Sequence, residues 1–182
     1  MTLLPADPVK RGRVQLALCA LFFALPVAAS WLVWGFNLAP GTTGNYGTLI
    51  APRQVTLPPS NGLQGKWVLV QFDGGACNAW CERKLYIMRQ VRRAQGKEME
   101  RMARLWYVTD GVRPGAKLLG AIEGTVLAPA PAGADFPADT AITDHIYLVD
   151  PLGNLMMRFP REPDPSRLIK DLQRLLRASS FG

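Results

Sequence analysis

Histidine is nearly absent from this 182-residue chain, His145 being the single one. Cysteine is almost as scarce, limited to Cys19, Cys77 and Cys81. A structural zinc site usually takes four ligands. Cys77, Cys81 and His145 supply three with no fourth in sight, which argues against structural zinc. Acidic residues are few as well, 14 against 21 basic ones, for a net charge of +7. Such an excess would suit nucleic acid, but the basic residues lie mostly beyond a candidate membrane span, and no nucleic-acid partner is expected. No internal repeat is apparent.

What the chain does have is one long uncharged run, residues 14–36. As a helix it would be about 34 Å long, against a bilayer core of about 30 Å. Lys10, Arg11 and Arg13 precede it, and Arg53 is the one charge between Asn37 and Gln64. That asymmetry predicts a single-pass anchor with a cytoplasmic N-terminus and the remainder across the membrane. Trp31 and Trp34 suit the interfacial belt. A cleaved signal peptide ending near Val27-Ala28-Ala29 is the competing reading. The run continues through Trp34, too far for an ordinary signal core, which favours a retained anchor. Cys19, within the run, reads as an inert apolar residue.

The predicted organisation is a tail over 1–13, an anchor over 14–36, a linker and N-terminal hairpin over 37–61, and a folded domain over 62–182. The hairpin strands are expected at 47–50 and 54–57. Residues 66–72 read as a buried strand, and 79–95 as a helix with Leu85, Met88 and Val91 along one stripe. A ragged turn follows at 97–101, then a strand at 103–109 and a short helix at 116–123. Residues 127–140 read as loop. Strands at 145–149 and 154–159 flank the turn Asp150-Pro151-Leu152-Gly153. Asp164-Pro165 starts a last amphipathic helix with an N-cap and a first-turn proline. Strand, helix, strand, helix, hairpin, helix is the order of a thioredoxin-like α/β sandwich, a mixed sheet flanked by helices.

The chemistry centres on Cys77-Asn78-Ala79-Trp80-Cys81, between the first buried strand and the helix. Thiols at a helix N-terminus are favoured as thiolates by the unpaired N–H groups and the dipole. In regular helix geometry this spacing keeps the β-carbons about 5–6 Å apart, beyond disulfide range, so a closed bond requires a locally unwound first turn. The pair therefore reads as a structural disulfide, a redox pair or two ligands of a soft metal. In a thioredoxin-like sheet the loop carrying Asp144-His145 faces the cysteine helix. That placement would set the imidazole beside the thiolates, a donor set that suits copper, with Asp144 a candidate to orient the ring. The basic residues of the helix, Arg83, Lys84, Arg89, Arg92 and Arg93, mostly read as a solvated face. Met156 and Met157 read as packing residues.

Cys77 and Cys81 with the strand and turn around them, and Asp144-His145 followed by Tyr147-Leu148-Val149-Asp150-Pro151-Leu152-Gly153, resemble the Sco/SenC family. The resemblance covers roughly residues 45–178. It departs from the family pattern in having Asn78-Ala79-Trp80 between the cysteines and Glu82 after them. It implies a membrane-anchored, thioredoxin-like protein of the bacterial inner membrane, with its folded domain in the periplasm. It implies one copper ion, Cu(I) or Cu(II), on Cys77, Cys81 and His145, and cycling of the cysteines between dithiol and disulfide with a thiol reductant. The partner implied is the copper site of cytochrome c oxidase subunit II. A metal-free thiol–disulfide oxidoreductase, with Cys77 attacking and Cys81 resolving, and a non-catalytic assembly subunit with a structural disulfide are the alternatives.

Overall fold

The computed structural model describes residues 8–36, 44–60, 62–131, 136 and 141–179. The first seven residues of the expected tail, the linker at 37–43 and most of the loop at 132–140 lie outside the described residues. The chain forms two compact units, divided after Thr43.

The first unit holds one helix, α1 (Pro8–Gly35), with Pro26 inside it. Its most apolar 18-residue stretch, within Val9–Gly35, has a mean hydropathy of 2.3, and the helix is long and apolar enough to cross a membrane. Its large apolar side chains, among them Phe22, Phe23 and Trp31, are exposed, as a lipid-facing surface would be.

The second unit is a six-stranded mixed sheet in the order β1-β6-β5-β2-β3-β4. The central strand β2 (Trp67–Asp73) is buried along its whole length, which matches its continuous apolar sequence. It runs parallel to β3 (Met102–Val108) and antiparallel to β5 (Ile146–Val149). Between β2 and β3 the chain crosses over through α2 (Ala79–Arg93) and a 3₁₀ turn at Gly96–Arg101. A short helix, α3 (Ala116–Ala121), leads to β4 (Val126–Pro129), which pairs in parallel with β3. Strand β6 (Asn154–Arg158) returns from β5, and α4 (Pro165–Ala178) ends the domain. Asp164 caps α4 by accepting from the Ser166 and Arg167 N–H groups, with Pro165 in the first turn. This is the expected thioredoxin-like sandwich.

Two expectations change. In place of a hairpin at 47–57 there is one strand, β1 (Thr48–Gln54), antiparallel to β6 with a register break between Leu49 and Arg53. Pro52 sits in that break, where an edge strand tolerates a residue that cannot donate. Asp171, buried on α4, accepts from the Tyr46 and Gly47 N–H groups at 2.7 and 2.8 Å, tying the start of this segment to the domain. Strand β4 lies in a stretch read as loop, because Val126-Leu127-Ala128-Pro129 is too short and too plain to stand out by periodicity.

Side chains divide between the two faces of the sheet by strand alternation. On one face Trp67, Leu69, Met102, Ile146 and Leu148 pack against α2 and α4. On the other, Val68, Val70, Phe72, Leu105, Tyr107, Tyr147 and Val149 gather with Phe136. Cys77, Cys81, Leu85, Trp106 and Ile122 form a third cluster over the end of β3.

Candidate functional site

Cys77 and Cys81 are joined by a disulfide, with their α-carbons 5.2 Å apart. The bond closes because Cys77 stands outside the helix. Asn78 is the N-cap, its side chain accepting from the Trp80 and Cys81 N–H groups at 3.0 Å each, as an N-cap asparagine does. Cys77, one residue earlier, takes a positive φ of 44°. A non-glycine residue there is strained by about 1–2 kcal/mol. The first turn is therefore not unwound; the chain bends ahead of it and swings Cys77 over Cys81.

The turn before Cys77 is fixed by close packing. A side chain on Gly75 would collide with the Val112 carbonyl oxygen, and one on Gly74 would meet the Asp110 carboxylate at 2.5 Å. Asp110 Oδ1 accepts from the Gly75 and Val112 N–H groups at 2.8 and 2.9 Å. Those backbone donors hold the Asp110 carboxyl below the usual carboxylate range.

The two sulfurs are inequivalent. Cys81 is fully buried, whereas Cys77 keeps 8% of its surface exposed. Gln71 Nε2 lies 3.6 Å from Cys81 Sγ, so a buried donor faces the inner sulfur. Beneath the pair, one helical turn beyond Cys81, Lys84 is fully buried and forms an ion pair of 2.5 Å with Asp73 at the end of β2. Lys84 Nζ also donates to the Thr143 carbonyl, in the 3₁₀ turn Ile142–Asp144. Burial lowers the Lys84 pKa and raises that of Asp73, each opposed by attraction to the other. Lys84 thus departs from the solvated face expected of the basic residues of α2. It falls in phase with Cys81, Leu85 and Met88, a signal its charge obscured.

His145 lies elsewhere. Gln71 pairs with Ile146 across β2 and β5, which brings His145 to the same end of the sheet as the cysteines. By alternation its ring turns to the face of Tyr147, with ring centroids 6.2 Å apart, whereas Cys81 and α2 occupy the other face. Its Nδ1 is 2.7 Å from the Phe159 carbonyl oxygen. Against a carbonyl Nδ1 must donate, leaving the lone pair of the neutral ring on Nε2. Asp144, the residue considered for orienting the ring, faces Arg161 at 3.6 Å. Met157 is buried in the core, with Met156 packed against it.

The donor set for copper is therefore not assembled in this form. Both sulfurs are spent on each other, and among the described residues no group of three or more His, Cys, Asp or Glu is placed to hold a metal. What the arrangement can do as it stands is accept two electrons at the disulfide.

The family model described as "Transmembrane-like, thioredoxin-like, C-terminal domain" matches residues 67–179. No curated protein matches the sequence. Among solved structures the chain is similar to copper-bound yeast Sco1, at 14% identity and a TM-score of 0.55, over 71% of this chain and 92% of that one. It is similar also to a second crystal structure of yeast Sco1, at 15% identity and a TM-score of 0.51, over 72% of this chain and 96% of that one. A third similar structure is the thioredoxin domain of a thiol-disulfide oxidoreductase from Bacteroides vulgatus, at 18% identity and a TM-score of 0.43, over 72% and 97%. At these identities the likeness is one of fold.

Proposed function

We propose a thiol–disulfide redox function for this chain, which belongs to the transmembrane-like, thioredoxin-like C-terminal domain family, with Cys77–Cys81 as the working bond. The observation that carries this reading is the inequivalence of the two cysteines: Cys77 keeps a sliver of exposed surface, whereas Cys81, on the inner face of α2, has none. A partner thiolate attacks Cys77 Sγ, the S–S bond breaks, and Cys81 leaves as a thiolate facing Gln71. A second partner thiolate attacks the mixed disulfide and releases Cys77. The partner dithiol is oxidised, two electrons pass to the protein, and the thiol protons end on Cys77 and Cys81. The reverse direction returns them, and a thiol reductant would keep the pair cycling. A purely structural staple is less supported, because closing so short a loop contributes only about 2 kcal/mol in the chain-entropy model. We place the site outside the bilayer, on the periplasmic side of a bacterial inner membrane, with α1 as anchor and residues 1–13 cytoplasmic.

The test is trapping by a thiol. In Cys81→Ser, the full chain in detergent accumulates a mixed disulfide on Cys77, located by peptide mapping. In Cys77→Ser, Cys81 stays unmodified until the domain unfolds. His145→Ala leaves exchange intact. Equal modification of both cysteines, or no exchange by the wild type, would remove this reading.

A second reading, copper carried by Cys77, Cys81 and His145 once the pair is reduced, is favoured by the Nε2 lone pair. A histidine that donates Nδ1–H to a carbonyl is oriented as metal-ligating histidines are. Yeast Sco1, similar in fold, has been solved with copper bound. This reading needs the Asp144-His145 loop, at the start of the interior strand β5, to bring the ring to the sulfurs after reduction. It would make the chain a copper-site assembly factor for cytochrome c oxidase, subunit II being the expected recipient. Copper titration of the reduced chain decides it: about one ion, with sulfur-to-copper charge-transfer absorption lost in His145→Ala, supports copper. An identical titration in that variant removes His145 from the site.

A further inference from the structure

The last helix carries a charge pattern that neither the core nor the redox site uses. Arg167, Lys170, Arg174 and Arg177 recur at steps of three and four along α4, so they form one stripe. All four are exposed. The one carboxylate of α4, Asp171, is 3% exposed and is spent on the Tyr46 and Gly47 N–H groups. Toward solvent, α4 therefore presents cations only. Arg177 also lines an open groove of about 600 Å³ with Gln173 and Leu176 and, from the 3₁₀ turn, Lys97, Glu98 and Arg101. Arg101 is held there by Glu98 and by the Leu176 and Ser179 carbonyls, and Lys97 extends the stripe beyond Arg177.

The chain enters the domain on this same face. Arg174 donates to the Gly44 carbonyl, and the Arg167 guanidinium lies 5.5 Å from the centre of the Tyr46 ring. The Tyr46 hydroxyl accepts from the Asp164 N–H at 2.8 Å. Only residues 37–43 join Phe36, just after the apolar helix, to Gly44. Eight peptide steps reach at most about 29 Å. With α1 as anchor, the stripe is thus leashed to a bilayer by the very segment it grips. Contacts that are weak one by one then act within a single molecule, at high effective concentration.

We propose that the basic stripe of α4 is a docking surface for anionic phospholipid headgroups of the membrane that α1 crosses; the proposal rests on the reading of α1 as an anchor. Each Lys or Arg brought to an anionic bilayer surface favours the docked form about fivefold. The charges stand on exposed, flexible stems, so headgroups reach them without any opening of the fold. The stripe shares no residue with the cluster around Cys77, so docking and thiol exchange are separable.

The full chain in nanodiscs of phosphatidylcholine, with or without phosphatidylglycerol and doped with a headgroup-nitroxide lipid, tests this. A fluorophore is placed on Ala178→Cys, at the end of the stripe, in a Cys19→Ala background with the Cys77–Cys81 disulfide closed. Strong quenching is expected in the phosphatidylglycerol discs alone, and it should fade between about 50 and about 500 mM salt. Lys170→Gln/Arg177→Gln, which spares the contacts to residues 44–46, should lower the docked-to-free ratio more than about tenfold. Arg83→Gln/Arg93→Gln, the same change of net charge on the exposed face of α2, should leave it unchanged, and neither pair should alter exchange at Cys77. Equal quenching in the two lipids overturns the docking surface, as does an α2 pair that acts as strongly as the α4 pair. Retention by phosphatidylcholine discs tests the anchor on its own. A chain that is not retained removes the anchor and the docking with it, whereas a retained chain without lipid-dependent quenching removes the docking alone.

Discussion

Two cations are sealed beneath α2, and they are accommodated in opposite ways. Lys84, at the cysteine end, is fully buried but meets a carboxylate on β2 and a carbonyl from the 142–144 turn. Arg104, toward the other end, meets one carbonyl and otherwise only like charges. The first has its counterion within the fold and ties three elements together. Among the described residues the second has no carboxylate partner, which is what separates a charge that braces the fold from one that costs it.

The comparison breaks most sharply by truncation. Lys84→Met leaves the Asp73 carboxyl buried without its partner, and a loss of about 3–5 kcal/mol is expected in chemical denaturation. Arg104→Met removes a charge that nothing offsets, so its unfolding midpoint should equal or exceed that of the wild type. Similar losses in both would erase the distinction. The Lys84→Met deficit also carries a pH signature. The Asp73 pKa is raised above its unfolded value even with Lys84 present. The folded form therefore holds its proton more tightly, and stability falls as pH rises from 3.8 through the raised value. Without the lysine that window widens upward, so the variant should recover stability on acidification more than the wild type does.

The next effect is a recovery. In Lys84→Met/Asp73→Leu both charges are gone, and the double variant should regain most of what the single one lost. A residue of about 1 kcal/mol remains, because the Thr143 carbonyl loses its donor. If the two losses simply add, Lys84 and Asp73 stabilise the fold through separate contacts and the pair is not a unit.

Much of this was legible from the chain. The order of strands and helices follows from buried runs, a helical stripe and the Asp164-Pro165 start, and the cysteine pair announces itself by its place between strand and helix. The bend that closes the disulfide was not legible, since it depends on Asn78 capping α2 and leaving Cys77 outside. Nor was the face of His145: a boundary one residue from the strand start decides which side of the sheet the ring takes, and pattern alone does not fix it. Lys84 and Arg104 were hidden by their charge. Each lies in phase with buried neighbours, Lys84 with Cys81 and Met88, Arg104 with Met102 and Trp106, and phase would have placed both inside.

Asn78→Ala is the third expected effect. It leaves the Trp80 and Cys81 N–H groups without an acceptor and should cost about 1 kcal/mol. The cap also fixes the bend at Cys77, so the disulfide should be reduced faster by dithiothreitol than in the wild type. A stability loss with unchanged reduction kinetics would mean that the glycine turn alone holds Cys77 in place.

The smallest effect concerns a charge held at the surface, where solvent screens what burial amplifies in Lys84 and Arg104. Asp110 is exposed, and its carboxyl is held low by the Gly75 and Val112 N–H groups. A depressed folded pKa contributes stability that is present above the unfolded value near 3.8 and lost as pH falls through the folded one. Asp110→Asn keeps an acceptor for those donors but removes the charge, so at neutral pH its unfolding midpoint should shift only slightly. Hydrogen exchange at the Gly75 amide should quicken, and below pH 3.8 the variant and the wild type should converge. A variant that instead loses as much as Lys84→Met would show that the turn before Cys77, rather than the buried ion pair behind Cys81, is what braces the disulfide.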